Sequence, residues 1–315
     1  MQLKIVGAGL AGLLAAHAWP QARLFESSGE PKQEHKALLR FRSDAVARLT
    51  GVDFRPVTVR KGIWLGGKFV QPSIGTANLY AAKVTGALTG DRSIWNLAAA
   101  ERFIAPETFY EELLENVGGR ITWSHPFDFC SEEPPIVSTA PLGLVAEQMG
   151  ILLPPELVFQ RAAIDVSRYR VRGADVFQTI YFPDPETLVY RASITGSMLI
   201  VERMWVQSVQ EKLLGHRLAA SAEESQEDIT MVAAAFGINS LDPIDRVHQK
   251  YGKIVPIEEA ARKALLHTLT RGHGIFSLGR FATWRNVLLD DVVQDIAVVR
   301  RLMRASPYER AMFAS

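Results

Sequence analysis

The chain has little cysteine, almost no net charge and no long apolar run. Its one cysteine, Cys130, excludes a disulfide within these 315 residues and leaves no basis for a cysteine-rich cluster, so we expect no metal. With 35 basic and 34 acidic residues, the formal net charge is +1, and no overall field draws the chain onto nucleic acid or a membrane. No apolar run reaches the ~18 residues that a membrane span needs, so we expect no membrane partner.

The apolar content is nevertheless sufficient for a large core. Hydrophobic residues make up 48% of the chain, which at this length predicts two closely joined subdomains. No internal repeat or low-complexity tract is present. No charged leader or cleavage site precedes the first apolar run, so we expect no secretion signal and a cytoplasmic location.

The most informative segment is residues 2–26, QLKIVGAGLAGLLAAHAWPQARLFE. An apolar run leads into Gly7, Gly9 and Gly12, which have the G-x-G-x-x-G spacing, and a helix of small residues follows. A second apolar run then ends on Glu26, nineteen residues after the first glycine. This order of strand, glycine turn, helix, strand and acid is the dinucleotide-binding fingerprint, and the alternative is an ordinary βαβ unit with a glycine-rich turn.

Each residue type in the fingerprint has a physical reason. Gly7 permits the tight turn, Gly9 lets the backbone approach a pyrophosphate, and Gly12 lets the helix pack on the sheet. The N–H groups and positive dipole end at the helix start attract the phosphates. Glu26 accepts hydrogen bonds from a ribose diol and repels a 2′-phosphate, which favours FAD or NAD(H) over NADP(H). The predicted cofactor-binding residues here are Gly7, Ala8, Gly9, Leu10, Ala11, Gly12 and Glu26.

Hydrophobic periodicity predicts the remaining elements. We expect a helix between Ser43 and Gly51, and a hairpin over residues 54–72 with turns at Gly62 and at Gly66–Gly67. Several strand-like runs within residues 158–203 predict a second sheet, mostly antiparallel. Further helices are predicted at 106–117, 207–217, 222–236, 256–270 and 288–304, with strands at 135–141 and in GIFSLGRFATW (274–284).

Four segments together resemble the superfamily of FAD-dependent amine oxidases and UDP-galactopyranose mutases. The first is VGAGLAGLLAAHAW…LFE, and the second is VSTAP (137–141), which is similar to a family strand before a Pro-containing turn. The third joins YFPD (181–184) and LVYRASITG (188–196), which resemble substrate-domain strands of the mutases. The fourth is GRFATWRNVLLDDVVQDI (279–296), similar to the C-terminal flavin segment. The chain departs from the family in SSGEPKQEHKALLRFR (27–42), which lacks the usual Gly-Gly.

The resemblance implies an α/β fold in which a Rossmann-like FAD-binding domain carries an inserted, mostly antiparallel β-sheet substrate domain. FAD is the implied cofactor. We expect the FAD-binding domain to comprise residues 1–50, 100–150 and 250–315. The substrate or cap domain would then comprise residues 51–99 and 151–249.

A narrower resemblance concerns HKALLRFRSDAVARLTG (35–51) and VRKGIW (59–64). These segments are similar to small phage-encoded flavoproteins, some of which belong to thymidine hypermodification clusters. This resemblance implies a flavoenzyme that cleaves an amino-acid adduct of thymine and leaves an aminomethyl pyrimidine. The substrate would then be modified phage DNA in the host cytoplasm.

The superfamily resemblance also implies residues that hold the flavin. Arg280 follows Gly279 at the end of a predicted strand, like the family arginine near the flavin and its phosphates. A surface arginine in a turn is the alternative. The residues implied against the cofactor by this and the neighbouring segments are Arg42, Gly279, Arg280, Trp284, Asn286 and Val287.

Four side chains are candidates for catalysis. His35 is either a general acid or base with a pKa near neutrality or a solvated loop histidine. Arg40 either holds a carboxylate or phosphate bidentately or belongs to a solvated basic face. Arg191 either binds an anionic substrate or forms a cross-strand ion pair. Lys253 lies either near flavin N5 or in the core or rim, and the same alternative applies to Trp284 as a pocket wall.

We therefore predict an FAD-dependent, amine oxidase-like oxidoreductase or lyase. A hydride would leave the carbon next to an amine nitrogen, and hydrolysis of the imine would break the C–N bond. Its partner is an amine-bearing substrate, with modified DNA as the most specific hypothesis and a small free amine as the general case. The alternatives are a mutase-like flavin isomerase, a non-enzymatic FAD- or NAD-binding module, and a flavin monooxygenase. The sequence leaves the substrate, the oligomeric state, the electron acceptor and any catalytic base open.

Overall fold

The computed structural model describes residues 2–31, 39–88, 90, 94–155, 157–204 and 226–305. The strands are numbered in chain order: β1 (Lys4–Val6), β2 (Arg23–Phe25), β3 (Arg40–Phe41), β4 (Arg55–Leu65), β5 (Lys68–Val70), β6 (Ala100–Ile104), β7 (Ile121–Thr122), β8 (Ile136–Ser138), β9 (Arg161–Arg170), β10 (Val176–Tyr181), β11 (Val189–Gly196), β12 (Met198–Met204), β13 (Asp242–Ile254) and β14 (Ile275–Ser277). The α-helices are α1 (Leu10–Ala18), α2 (Ala45–Thr50), α3 (Ile74–Thr85), α4 (Phe109–Val117), α5 (Leu142–Gln148), α6 (Gln226–Phe236), α7 (Glu259–His273), α8 (Arg280–Thr283) and α9 (Leu289–Arg304).

The first sheet is parallel and contains the fingerprint strands. Its order is β14-β8-β1-β2-β7, so strands from the beginning, middle and end of the described chain lie side by side. Parallel neighbours require crossover connections, and α1 supplies the one between β1 and β2. This arrangement places the β1–α1 turn beside the segment that follows β14.

The second sheet has nine strands in the order β13-β9-β12-β11-β10-β4-β6-β3, with β5 paired to β4. Its pairs are antiparallel except for β10 with β4, so the prediction of a mostly antiparallel second sheet is confirmed. β6 and the last residues of β13 belong to this sheet, although residues 100–150 and 250–315 were assigned to the FAD-binding domain. The division into domains stays a prediction.

The predicted elements are mostly present, with three clear differences. The 54–72 hairpin forms as β4 and β5 with its turn at Gly66–Gly67, but Gly62 is not a turn, because it pairs with Ile180 inside β4. A Cβ at Gly62 would lie 2.9 Å from the Phe69 ring, so this glycine makes room for the ring instead. Helices α3 and α5 and strands β3, β6, β7 and β13 were not predicted, and the short helix α8 forms within a segment predicted as a strand and turn. The 207–217 helix and the start of the 222–236 helix lie outside the described residues.

The main core lies between the parallel sheet and the helices packed on it. Ile5, Leu13, Leu24, Leu113 and Val137 are all fully buried there. Each such side chain contributes ~1.5–3 kcal/mol through removal of apolar surface from water. This packing fixes α1 on the sheet, and with it the position of the glycine turn.

A buried lysine holds the loop between β10 and β11. Lys83, on α3, is only 2% exposed, and its ammonium group donates to the carbonyl oxygens of Phe182 (2.8 Å), Asp184 (2.6 Å) and Val189 (2.6 Å). Burial lowers the pKa of Lys83 to about 7, against the opposing effect of the Asp184 and Asp228 charges. Three carbonyl acceptors match the three N–H donors of an ammonium group. The lysine therefore fixes the entrance to β11.

We expect Lys83→Met to destabilise the protein by about 3 kcal/mol, because three buried carbonyl groups would lose their donor. Urea unfolding at pH 6 measures this loss. Lys68→Met removes an exposed lysine of β5 and serves as the control, with an expected change within ~0.5 kcal/mol. Equal effects of the two substitutions would contradict the role assigned to Lys83.

Candidate functional site

A large cavity lies where residues next to the parallel sheet meet residues of the second sheet. Its volume is about 950 Å³, which lies at the upper end of the range for small-molecule and cofactor sites. The wall includes Ala8–Ala11 of the glycine turn and Glu26 at the end of β2. Residues of the second sheet supply the rest, including Arg40 and Lys253. The predicted cofactor region and the predicted catalytic region therefore share one cavity.

The three fingerprint glycines differ in what surrounds them. Gly7 has a φ of +97°, and a Cβ there would lie 2.3 Å from Thr139 Oγ1. A Cβ at Gly12 would lie 1.8 Å from the carbonyl oxygen of Gly7. Gly9 has no such neighbour within 4 Å among the described atoms, and it lines the cavity. Gly7 and Gly12 thus make the turn possible, whereas Gly9 keeps space open in front of it.

The start of α1 faces this open space. Gly9 is the N-cap, in an extended conformation with a φ of −71° and a ψ of 174°, and no side chain caps the helix. The N–H groups of the first turn of a helix have no acceptor within the helix. Since Gly9, Leu10 and Ala11 line the cavity, those donors and the helix dipole are available to an anionic group there.

Glu26 lies beside the same turn as a carboxylate. Its Oε2 accepts the Ala8 N–H at 2.7 Å, and its Oε1 accepts the Ser28 N–H at 2.9 Å. Burial acts to raise the pKa of Glu26, but the hydrogen bonds from Ala8 and Ser28 outweigh it and lower the pKa. The charged form is therefore favoured at neutral pH, as the ribose-binding role of a fingerprint acid requires.

The C-terminal segment closes the cavity on the other side of the turn. Gly279, Arg280 and Val287 all line it. The Arg280 guanidinium donates to the Gly252 carbonyl oxygen at 3.1 Å, which ties this segment to β13. The flavin-side role that the sequence resemblance implies for these three residues stays a prediction.

Arg42 is held by the first turn of α9. Its guanidinium forms an ion pair with Asp291, and its backbone N–H donates to Asp290 at 3.1 Å. Asp290 is 3% exposed and also accepts the Ser43 N–H at 3.0 Å. These carboxylates therefore fix the backbone after β3, in addition to their favourable position at a helix N-terminus.

Three predicted site residues require comment. Trp284 was expected against the cofactor, but it is buried in the core, where its Nε1 donates to Val255 O at 2.9 Å and its ring lies 4.9 Å from that of Phe159. It ends α8 with a φ of +48°, and this turn directs the ring to the core. Asn286 is exposed and absent from the cavity wall formed by the described residues. His35 lies outside the described residues.

Arg191 is paired across the sheet. It lies opposite Glu202 in the β11–β12 register, and its guanidinium forms two hydrogen bonds to that carboxylate, including Nη2 to Oε1 at 2.7 Å. The Tyr190 hydroxyl donates to the same Oε1 at 2.9 Å. The geometry is that of the cross-strand ion pair left open as an alternative, although all three residues also line the cavity.

Lys253 lies on the same wall. The β13–β9 register shifts between Gln249 and Lys253, which marks an irregularity of the kind that redirects side chains near sites. Lys253 is 8% exposed, and its Nζ lies 3.6 Å from the Tyr190 ring centroid. This contact has the geometry of a cation–π interaction and adds positive charge to the wall.

Arg40 reaches the cavity from β3. Burial lowers its pKa to about 10, and the nearby charge of Arg191 acts in the same direction. Its Nη1 atom is buried and has no hydrogen-bond partner among the described residues. Arg40 is thus a predicted catalytic residue whose Nη1 hydrogen-bond donor has no acceptor among the described residues.

Sequence reasoning missed several wall residues. Lys61 of β4 and Arg102 of β6 both line the cavity, and burial together with the Arg102 charge lowers the pKa of Lys61. Glu202 was also missed, although an acid within the apolar run MLIVERM of β12 was a usable signal. No sequence signal placed Lys61 and Arg102 beside Arg40, because that depends on the pairing of β4, β6 and β3.

Two features are absent from the described part of the chain. No cluster of three or more histidine, cysteine, aspartate or glutamate side chains there is arranged to hold a metal ion. No helix of that part is both long enough and apolar enough to cross a membrane. Cys130 is exposed and unpaired.

No protein-family model matches the sequence, and no curated protein matches it either. Solved structures do match the fold. A reduced UDP-galactopyranose mutase is 15% identical, with a TM-score of 0.69 over 98% of both chains. An oxidoreductase from Methanosarcina mazei is 9% identical, with a TM-score of 0.57 over 96% of this chain and 100% of its own. Aklavinone-11 hydroxylase in complex with FAD and aklavinone is 13% identical, with a TM-score of 0.51 over 96% of this chain and 62% of its own.

At these identities the likenesses establish the fold. The chain shares the fold of these proteins, a Rossmann-like parallel sheet combined with a curled mixed sheet, and the predicted fold class is confirmed. FAD, the cofactor predicted from the sequence, agrees with this fold. The glycine turn, the open start of α1 and the ionised Glu26 fit its pyrophosphate and ribose groups.

Proposed function

We propose that the chain is an FAD-dependent oxidoreductase that oxidises the C–N bond of an amine. The observation that carries the proposal is the shared cavity, in which the dinucleotide turn and a positively charged wall face the same space. A protein that only binds a nucleotide does not require the positively charged wall. The combination fits a cofactor at one wall and a substrate against the other.

The residues that would hold FAD are those of the turn and of the C-terminal segment. The N–H groups at the start of α1 would bind the pyrophosphate, and Glu26 would accept from the ribose hydroxyls. Gly279, Arg280 and Val287 would lie along the rest of the cofactor. When bound, FAD would supply the hydride acceptor, and dioxygen would return it to the oxidised state.

The charge of the wall suits the form of the amine that can be oxidised. Arg40, Lys61, Arg102 and Lys253 contribute four positive groups, while Glu202 is neutralised by Arg191. This surplus disfavours a protonated amine and favours the neutral amine, whose nitrogen lone pair assists loss of hydride from the adjacent carbon. The wall can therefore promote the reaction without a strong general base. The imine product would hydrolyse to a carbonyl compound and the released amine.

The most specific substrate within this proposal is an amino-acid adduct of thymine in phage DNA. The positive wall suits such a substrate, whose amino-acid part carries an anionic group. A small free amine is the more general case. A mutase-like isomerase is the other candidate, because the same positive cavity suits the diphosphate of a nucleotide sugar.

An anaerobic absorbance titration tests the proposal. We expect the purified protein, as isolated or after reconstitution with FAD, to show a flavin spectrum that bleaches when DNA carrying amino-acid-modified thymine is added. Release of one keto acid or aldehyde per flavin reduced would show that a C–N bond was oxidised. A colourless protein that cannot be reconstituted would refute the flavoenzyme.

The alternatives give different signals in the same cuvette. Bleaching by small amines, with DNA inert, would leave C–N oxidation standing and remove the DNA substrate. A spectrum unchanged by every amine, together with turnover of a nucleotide sugar only after dithionite reduction, would identify the isomerase instead.

A further inference from the structure

We infer that the rim of the cavity binds an unpaired strand of nucleic acid next to the reacting nucleotide. The rim patch consists of Lys61, Trp95 and Arg102: the two cations face phosphodiester groups, and the tryptophan stacks on a base. This inference rests on the proposed function, which allows a small free amine as well as a modified base. It narrows that choice to a polymer and names the surface that holds it.

The first observation is a local surplus of positive charge in a chain that has almost none overall. The sequence contains no aspartate or glutamate between Asp53 and Asp91. Lys61 belongs to that stretch, and it lies on β4, whose neighbour β6 carries Arg102. Both side chains line the cavity, and burial together with the nearby charge of Arg102 lowers the pKa of Lys61. An anion placed between them is therefore stabilised by two cations.

The nearby acids are placed where they do not neutralise these two cations. Glu101 precedes Arg102 in β6, and successive side chains of a strand point to opposite faces, so Glu101 points away from the cavity. In the cavity wall, Glu202 is paired with Arg191, and Asp290 accepts hydrogen bonds from the backbone after β3. The rim patch therefore attracts anionic groups.

The second observation is an exposed tryptophan on a fixed segment. Trp95 is 49% exposed, whereas Ile94 before it is 4% exposed in the core. Asn96 Oδ1 accepts the Ala98 N–H at 2.8 Å, and the Asn96 carbonyl oxygen accepts from Lys61 Nζ at 3.5 Å. These contacts hold the segment beside a cation of the cavity wall. Half of the tryptophan surface stays open to a partner.

The third step is the class of partner. Proteins bind single-stranded nucleic acid by combining cations that face the phosphates with aromatic side chains that stack on bases. In a duplex, the faces of each base are covered by its neighbours, so Trp95 can stack only on an unpaired or extruded base. The proposed reaction sets the same condition, because a base must leave the duplex before it enters a cavity. The rim patch thus fits an unpaired strand better than a duplex or a small free amine.

Fluorescence anisotropy of a labelled oligothymidylate, titrated with the FAD-loaded protein, tests the inference without turnover. We expect Trp95→Ala to weaken binding by about 10-fold, because one base stack is lost, and to leave its salt dependence unchanged. Lys61→Gln and Arg102→Gln should each reduce the slope of log Kd against log salt concentration by ~0.7, the value for one phosphate contact on a single strand.

The opposite face of the same sheet supplies matched controls. Arg60 is exposed and precedes Lys61 in β4, so it points away from the cavity. Phe69 of β5 is 58% exposed, and its ring lies against Gly62, on the same face as Arg60. Arg60→Gln and Phe69→Ala remove an exposed cation and an exposed aromatic ring, and both should leave the oligothymidylate affinity and its salt slope unchanged.

The outcomes separate this inference from the proposed function. Failure to load FAD counts against the function, whereas normal loading with oligothymidylate affinity unchanged in Trp95→Ala overturns the rim patch. Equal affinity for the same oligonucleotide annealed to oligoadenylate overturns the unpaired strand. Oxidation of amines by a protein that binds no oligonucleotide keeps the function and overturns the inference. Trp95→Phe keeps an aromatic face, so intermediate affinity is expected even where Trp95→Ala fails to fold.

Discussion

Replacing Gly9 with alanine is expected to weaken FAD binding by on the order of 100-fold while leaving the fold intact. The Gly9 backbone, with a φ of −71° and a ψ of 174°, is open to alanine, and no atom outside its chain neighbours lies within 4 Å of the added Cβ. That Cβ would instead occupy the cavity at the start of α1, where the pyrophosphate must approach the backbone. Loss of one or two charge-assisted hydrogen bonds accounts for the size of the effect. Fluorescence titration of the apoprotein with FAD measures it.

Two other glycines make this experiment specific. Gly12→Ala should destabilise the protein by several kcal/mol, because its Cβ would lie 1.8 Å from the Gly7 carbonyl oxygen in a close-packed turn. Gly272→Ala, at an exposed position in α7 with no such neighbour within 4 Å, should be neutral or stabilising by up to ~1 kcal/mol. If Gly9→Ala binds FAD like the wild type, the turn does not hold the pyrophosphate. If it unfolds like Gly12→Ala, the folded protein has no room for a Cβ at position 9.

The cofactor half of the site was predictable because its signal is local. Gly7, Gly9, Gly12 and Glu26 lie within one βαβ unit, where each residue type is dictated by backbone geometry or by one ligand group. The structure places Gly9 and Glu26 on the cavity wall, with Gly12 against Gly7 and Glu26 beside Ala8. The local sequence pattern therefore predicted which of these residues lie close together in the structure.

The substrate wall was less predictable because it depends on pairing between distant strands. Arg40, Lys61 and Arg102 come from three strands whose order follows from the nine-stranded sheet, and no periodicity gives that order. Arg191 was identified, but its pairing with Glu202 could only be left as an alternative, since the β11–β12 register was unknown. The orientation of Trp284 was unpredictable for a similar reason: its positive φ, which directs the ring to the core, has no signal in the sequence.

The packing of distant segments also explains the elements that were missed. Helix α3 begins at a capping box formed by Ser73 and Thr76, and its buried side includes Tyr80, Val84 and Lys83. The burial of Lys83 is explained by the carbonyl oxygens that accept its hydrogen bonds, and these lie about 100 residues later in the chain. Lysine side chains in helices are usually exposed, so nothing in the sequence indicated that Lys83 is buried.

Glu202→Gln is expected to destabilise the protein by about 3 kcal/mol at neutral pH. The Glu202 side chain is 13% exposed, and its oxygens accept hydrogen bonds from Arg191 and from the Tyr190 hydroxyl. The neutral amide would leave the Arg191 charge without a counterion in a cavity wall. Breaking a fully buried pair on one side costs about 3–5 kcal/mol, and we expect the lower end because the Arg191 side chain is 37% exposed. Urea unfolding of both proteins at pH 7 measures the difference.

The pH dependence of this difference has a definite sign. Burial acts to raise the pKa of Glu202, but the charge and hydrogen bonds of Arg191, with smaller effects from Tyr190 and Lys253, lower it from 4.5 to about 2. A carboxyl group with a lowered pKa in the folded state stabilises that state above its unfolded pKa and loses this contribution as the pH falls through the folded value. The gap between wild type and Glu202→Gln should therefore be constant above pH ~5 and shrink towards pH ~2.

Two further variants show whether the pair itself is responsible. Asp242→Asn breaks the ion pair with Arg172, whose side chains are 40% and 80% exposed, so we expect a loss below ~1 kcal/mol. Arg191→Met combined with Glu202→Gln leaves no unpaired charge, and the double variant should be more stable than the sum of the single losses predicts, by ~0.5–3 kcal/mol. A gap that does not change between pH 6 and pH 3, or strictly additive losses, would mean that Glu202 stabilises the wall by packing alone.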